Sequence, residues 1–153
     1  MKDRVIVFDI DGTLADCEHR RHWITSKPKN WSAFYADLVN DPCIESVASL
    51  ARHFWRQEAT VILCSGRPEY DDGAGNIREA TQSWLSKKSI GYDALIMRPA
   101  RDYRGDDILK VEFLNRIRQG YGEPSYWFDD RDRVVKAIRN EGVQVFQVTE
   151  GNF

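Results

Sequence analysis

Residues 5–8, Val-Ile-Val-Phe, form an apolar run rich in β-branching that is followed at once by Asp9, Ile10, Asp11 and Gly12. Such a run reads as a strand packed on both faces, and sheets of such strands receive ligands beyond the carboxyl ends of their strands. Asp9 and Asp11 therefore belong to the edge of a site. Side chains alternate along an extended chain, so positions i and i+2 face the same way. Two carboxylates placed like that crowd each other unless a cation or a shared proton relieves them. Magnesium, a hard cation that prefers oxygen, is the natural relief. A solvated strand end with an Asp-Gly turn would show the same residues, so the pair gains meaning only from motifs further along the chain.

Three such motifs occur in order. Val61-Ile62-Leu63-Cys64 is a second buried-strand run, and it ends in Ser65-Gly66-Arg67-Pro68. A hydroxyl and the N–H groups of a glycine turn can cradle phosphate oxygens, and a guanidinium can grip two of them at once. Gly105-Asp106-Asp107-Ile108-Leu109-Lys110 opens a helix with an acidic cap and carries Lys110 one turn in. Ser125-Tyr126-Trp127-Phe128-Asp129-Asp130 is a third strand ending in acids, able to complete a metal site that the first pair opens. The periodicity predicts strands at 4–9, 60–64, 93–97, 125–128 and 143–147. Helices are predicted at 44–58, 74–88, 106–118 and 131–140, with a helical insertion up to about residue 40. Alternation of strands and helices means a parallel sheet, and right-handed crossovers bring the ends of the first, second and fourth strands to one edge. Residues 71–75, Asp-Asp-Gly-Ala-Gly, read as a flexible polar loop that gates the site or caps the next helix.

A chain of 153 residues fits one domain. A net charge of −2 argues against a protein that coats nucleic acid indiscriminately, although Arg98, Arg101 and Arg104 recur at every third position and could hold one strand end. Cys17, Cys43 and Cys64 show no zinc spacing, and with no secretory signal they point to reduced cytoplasmic thiols. No apolar run is long enough to span a bilayer.

The four motifs in this order resemble those of the haloacid dehalogenase superfamily of phosphatases over nearly the whole chain. The resemblance implies a Rossmann-like α/β fold with a central parallel sheet, helices on both sides and a small cap at about residues 16–43. It implies that Asp9 is a nucleophile forming an aspartyl-phosphate, that Asp11 is the general acid and base, and that Ser65 and Lys110 are phosphate ligands. Asp129 and Asp130 would join Asp9 and Asp11 in holding Mg2+. The chemistry is intelligible on its own terms, since a carboxylate can attack phosphorus at neutral pH and split a hard displacement into two steps. Asp11 would begin protonated, give its proton to the leaving alkoxide and take one back from the hydrolytic water.

Residues 98–110 and the ending Phe146-Gln147-Val148-Thr149-Glu150-Gly151-Asn152-Phe153 resemble more closely the 3′-phosphatase domains of the polynucleotide kinase-phosphatases. That resemblance implies a polynucleotide 3′-phosphatase acting on DNA or RNA ends, in the cytoplasm of a cell or of a phage host. It adds Arg20, Arg67 and Asp106, with Thr13 and Gly66, to the substrate-binding set. No Gly-x-x-x-x-Gly-Lys-Ser/Thr phosphate loop is present, so no kinase half is expected within residues 1–153. In the cap, cations interleave with aromatics, a combination that binds phosphate backbones and stacks bases. An amphipathic hairpin with Trp23, Trp31, Phe34, Tyr35 and Leu38 facing the core explains the same residues. Two other readings stand beside end repair. One is a phosphatase of free nucleoside monophosphates or another small phosphomonoester. The other is a receiver-like phosphate-binding module, disfavoured because strand 93–97 ends without an acid.

Overall fold

A computed structural model describes residues 4–153. Five parallel strands form the central sheet: β1 (Val5–Phe8), β2 (Thr60–Pro68), β5 (Ala94–Arg98), β6 (Pro124–Asp129) and β7 (Val145–Gln147), in the order β5-β2-β1-β6-β7. β3 (Tyr70–Asp71) and β4 (Gly75–Asn76) form a separate antiparallel ribbon. The helices are α1 (His22–Thr25), α2 (Trp31–Ala36), α3 (Glu45–Arg56), α4 (Ile77–Lys87), α5 (Asp106–Gly120) and α6 (Asp132–Asn140). The chain builds outward from β1 through β2 to β5, then returns to the other side of β1. The strand order therefore reverses at β1, where an α/β sheet opens a crevice at its carboxyl edge.

The period of two along each strand divides the interior into two cores. Ile6, Phe8, Val61, Leu63, Leu95 and Phe128 face one side, against Val47, Ala48 and Ala51 of α3 and Ile77, Trp84 and Leu85 of α4. Val5, Val7, Ile62, Cys64, Ile96 and Trp127 face the other, against Leu109, Phe113 and Leu114 of α5 and Val134, Val135 and Ile138 of α6. Both faces of the sheet are thus covered, as the unbroken apolar runs require. Phe8 stacks on Phe128 at 4.6 Å, and Phe146 stacks on Phe128 in turn, carrying aromatic packing from β1 to β7.

Three local structures differ from the sequence expectations. Ser65-Gly66-Arg67-Pro68 is not a turn beyond the strand; β2 continues to Pro68 and its pairing with β5 slips between Ser65 and Pro68. Such an irregularity re-aims side chains next to a site, and here it sends Arg67 inward, where it is 2% exposed. Residues 71–75 are ordered by the ribbon, with Asp71 accepting from the N–H groups of Gly73 and Ala74, while Asn76 caps α4 through Glu79 N–H. In the cap, Phe34 and Leu38 are buried, but Trp23 and Trp31 are exposed and it is Arg20 that is fully buried.

The 16–43 insertion is anchored at its root, because Asp16 N–H donates to Pro42 O and Ile44 N–H donates to Leu14 O. The segment after β7 folds back on the loop after β6, with Asp132 N–H donating to Gly151 O. A Cβ at Gly151 would lie 1.8 Å from the backbone oxygen of Asp130. Gly151→Ala should therefore lift this segment from the loop and lower stability by about 2 kcal/mol, read as a lower urea midpoint.

Candidate active site

Asp9 leaves β1 at the reversal point, and the next residues turn tightly, with the N–H groups of Thr13, Leu14 and Ala15 all donating to Ile10 O. Gly12 serves that turn in two ways. Its φ of +81° is left-handed, and a Cβ there would stand 2.0 Å from Asp130 Oδ2. The turn thus brings the end of β1 against the end of β6, where the second acidic pair lies.

Lys110, one turn into α5, reaches both acidic strand ends. Its Nζ donates to Asp9 Oδ1 at 2.6 Å and to Asp129 Oδ2 at 2.8 Å, and all three groups are buried. Thr13 Oγ1 donates to the other Asp9 oxygen at 3.0 Å. Asp129 is satisfied on both oxygens: Oδ1 accepts from the N–H groups of Asp130 and Arg131, and Oδ2 from Trp127 Nε1 as well as Lys110. Asp9, Asp129 and Asp130 each place an oxygen within 4.8 Å of the others. Burial, and then the charge of Asp129, raise the carboxyl of Asp9 well above its usual range despite Lys110. The same two causes push Asp130 up to about 6. Three carboxylates against one ammonium leave an excess of negative charge, and the donor set is all oxygen. These residues fit a hard divalent cation, with Asp9 and Asp130 the members whose ionisation burial opposes most.

The Asp11 carboxylate turns away from this cluster. Its Oδ1 accepts from Arg67 Nη2 at 2.6 Å and Arg20 Nη2 at 2.7 Å, and its Oδ2 from Arg67 Nε at 3.2 Å. Burial would raise its pKa, but Arg67 and then Arg20 outweigh burial and hold it well below the usual carboxylate range. Two guanidiniums that converge on Asp11 from the cap and from β2 thus oppose the expectation that it begins protonated. For the same reason its side chain is absent from the carboxylate cluster in which it was expected as a metal ligand.

Behind Asp11 stands a residue that the sequence did not single out. Asp41 is buried and grips Arg20 with both oxygens, at 2.8 Å from Nε and 2.7 Å from Nη2. It also lies 3.4 Å from Arg67 Nη2 and 2.6 Å from His19 Nε2. Arg67 Nη1 donates to Thr81 Oγ1, and the Arg20 guanidinium lies over the Phe34 ring at 4.2 Å. Among the described residues no buried side-chain nitrogen or oxygen lacks a hydrogen-bond partner, so this network is closed.

The remaining expected site residues also have internal partners. Ser65 is buried and its Oγ accepts from Arg67 N–H. Asp106 is the first residue of α5 rather than its cap, which is Gly105. It accepts from Arg98 Nη2 and, at 2.9 Å, from Arg131 Nη1. Gly66 is required by proximity, since a Cβ there would meet Asp106 Oδ1 at 2.8 Å. Of the three regularly spaced arginines, Arg98 also donates to Gly66 O, and Arg104 is bound to Asp102 and Glu112. Arg101 alone extends outward, with its side chain 79% exposed. Over the acids opens a cleft of about 1250 Å³, walled by the cap, the β3–β4 ribbon, the 99–105 loop and residues 148–153. No helix among the described residues is long and apolar enough to cross a membrane.

These contacts set two measurable outcomes. Asp130→Asn removes one of the crowded charges, so the metal-free protein should gain on the order of 1–3 kcal/mol at neutral pH. A carboxyl whose folded pKa is raised costs stability above that pKa and nothing below the unfolded value. The gain should therefore vanish near pH 4, and thermal melts should show added Mg2+ stabilising the wild type but not this variant. Asp41→Asn leaves two buried guanidiniums short of an anion. It should cost about 3 kcal/mol and, by letting Asp11 shift, lower kcat about 100-fold.

Comparison with known proteins bears on this geometry directly. The profile of the family described as "Polynucleotide kinase PNKP phosphatase domain" matches residues 3–153. A chain of the solved Pnkp1/Rnl/Hen1 complex is 33% identical, superposes with a TM-score of 0.79, and is matched over 99% of this chain and 48% of that one. A chain of the Pnkp1/Rnl/Hen1 RNA repair complex gives 31% identity, a TM-score of 0.77, and coverage of 100% and 46%. The chain thus spans about half the length of these relatives. The D,D-heptose 1.7-bisphosphate phosphatase of B. bronchiseptica, solved with magnesium and phosphate, shares the fold at 15% identity and a TM-score of 0.63, over 94% of this chain and 79% of that one. The Asp9–Lys110–Asp129 centre thus stands within a match that runs the length of the chain, which belongs to the polynucleotide kinase PNKP phosphatase domain family and is a haloacid dehalogenase-type phosphatase.

Proposed function

We propose that the chain is a Mg2+-dependent phosphomonoesterase that removes 3′-phosphates from nucleic-acid ends through an aspartyl-phosphate on Asp9. The observation that carries this reading is the convergence of Asp9, Lys110, Asp129 and Asp130 at the floor of a wide cleft. The family match and the RNA repair setting of a relative support nucleic-acid ends as the substrate.

Asp9 attacks phosphorus, and the bond to the leaving oxygen breaks as the bond to the Asp9 carboxylate forms. Lys110 supplies positive charge to the phosphoryl oxygens, joined by the Ser65 hydroxyl and nearby backbone N–H groups. Asp9, Asp129 and Asp130 would hold a Mg2+ ion, which would supply charge neutralisation and orientation of the phosphoryl group. In the second half Asp11 takes a proton from the water that cleaves the acyl-phosphate, a role for which its ionised resting state is suited. In the first half the proton for the leaving oxygen comes from the phosphomonoester, bound as its monoanion, and passes through Asp11. Arg20, Arg67 and Asp41 hold Asp11 on the approach side, and Thr13 holds the nucleophile.

The test is phosphate release with Mg2+ from a 3′-phosphorylated oligonucleotide, set beside a 5′-phosphorylated one and free 3′- and 5′-mononucleotides. The expected result is strong preference for the 3′-phosphorylated strand, lost on chelation and reduced at least 1000-fold by Asp9→Asn. Faster release from mononucleotides would assign the chain to free nucleotides instead.

A further inference from the structure

The chemistry of the cleft floor reads phosphate, and arginines line the walls, yet none of these groups receives a base. Two rings in the cleft lining stand apart from the other aromatics. Tyr103 is 90% exposed and Tyr70 is 50% exposed. Neither has a ring, cation or side-chain hydrogen-bond partner among the described residues. Trp31, also in the lining, differs: Tyr35 stacks on it, Phe34 meets it edge-on and Lys29 lies over it.

The backbone that presents these two rings is fixed. Arg98 Nη1 donates to the carbonyl oxygens of Asp102 and Arg104, on either side of Tyr103. Asp102 accepts from Arg104 N–H and from its guanidinium, and Arg104 also reaches Glu112 on α5. Tyr70 stands on the ribbon. The ribbon is latched to the cap by Ser32 Oγ donating to Asp71 Oδ2 at 2.7 Å, and it is joined to β5 by Glu69 N–H donating to Arg98 O. A ring left bare on a mobile loop would need no explanation. A bare ring on a clamped loop inside a phosphate cleft is a preorganised flat surface, and its ordering cost falls at folding rather than at binding.

We propose that Tyr103 and Tyr70 form a nucleobase subsite on which the bases of the last two nucleotides of a 3′-phosphorylated strand stack. This rests on the reading of the chain as a nucleic-acid 3′-phosphatase. Stacking tolerates any sequence because every base has a π-face, so the subsite favours strand ends over plain sugar phosphates without selecting a base.

The experiment compares kcat/KM on two 3′-phosphorylated oligonucleotides, one ordinary and one lacking the bases of its last two residues. The enzymes are the wild type, Tyr103→Ala, Tyr70→Ala and Tyr103→Trp. The wild type should prefer the ordinary end by about tenfold or more, chiefly through KM. Each alanine variant should lose most of that preference, and Tyr103→Trp should retain it. Equal hydrolysis of both ends by the wild type would overturn the subsite while leaving the phosphatase reading intact. So would alanine variants that slow both substrates equally, since that marks a structural role. Release from small phosphomonoesters but from neither oligonucleotide would instead overturn the 3′-end reading on which the subsite rests.

Discussion

The structure turns on one electrostatic imbalance, three buried carboxylates facing a single ammonium at the carboxyl edge of a parallel sheet. Lys110 binds Asp9 and Asp129, while Asp130 is pressed against Gly12 with its pKa raised by burial and by Asp129. Folding alone would not assemble such a cluster, because each ionised carboxylate loses hydration and gains a repulsive neighbour. The two apolar cores that clamp β1 between β2 and β6 supply the opposing free energy. The destabilised corner presents three carboxylates whose oxygens fit a hard divalent cation.

A second, separate network lies beside the first. Asp11 sits between Arg20 and Arg67, and Asp41 holds both arginines from behind. The cap contributes Arg20, His19 and Asp41, so it reaches the Asp11 carboxylate rather than only covering the cleft. A buried ion network of this kind returns little net stability, since desolvation offsets most of the attraction. Its value is positional: a guanidinium with its donors engaged at fixed distances leaves Asp11 one orientation. The carboxylates therefore divide by environment, with Asp9 and Asp130 held in a site that resists their charge and Asp11 in one that enforces it.

Much of this was legible in the sequence because it depends on local pattern. The apolar runs at 5–8 and 61–64 specified buried strands, and the motif order placed Asp9, Ser65 and Asp129 at the ends of three strands that a right-handed parallel sheet sets side by side. What escaped was non-local. Asp41 lies 21 residues from Arg20 in a stretch with no motif, and only the folding of the cap joins them. The ionised state of Asp11 depends on two arginines 47 positions apart. The inward course of Arg67 results from a register slip that Ser-Gly-Arg-Pro, resembling a turn, conceals. In the cap the hydrophobic pattern misled, because the buried position there goes to Arg20, held by Asp11 and Asp41, while Trp23 and Trp31 stay exposed.

The floor and the walls of the cleft are held by different kinds of backbone. The acids and Lys110 stand on strand ends and near the start of α5, where sheet pairing and helix packing fix them closely. The walls are the cap, the ribbon and the 99–105 loop, each bound to the scaffold by a few side-chain contacts such as Ser32–Asp71 and Arg98 with Asp102 and Arg104. Arg98 links the two regions, since the same guanidinium that clamps the loop also binds Asp106 at the start of α5 and Gly66 O on β2. The 99–105 loop is thereby tied both to the start of the helix that carries Lys110 and to the strand that carries Ser65.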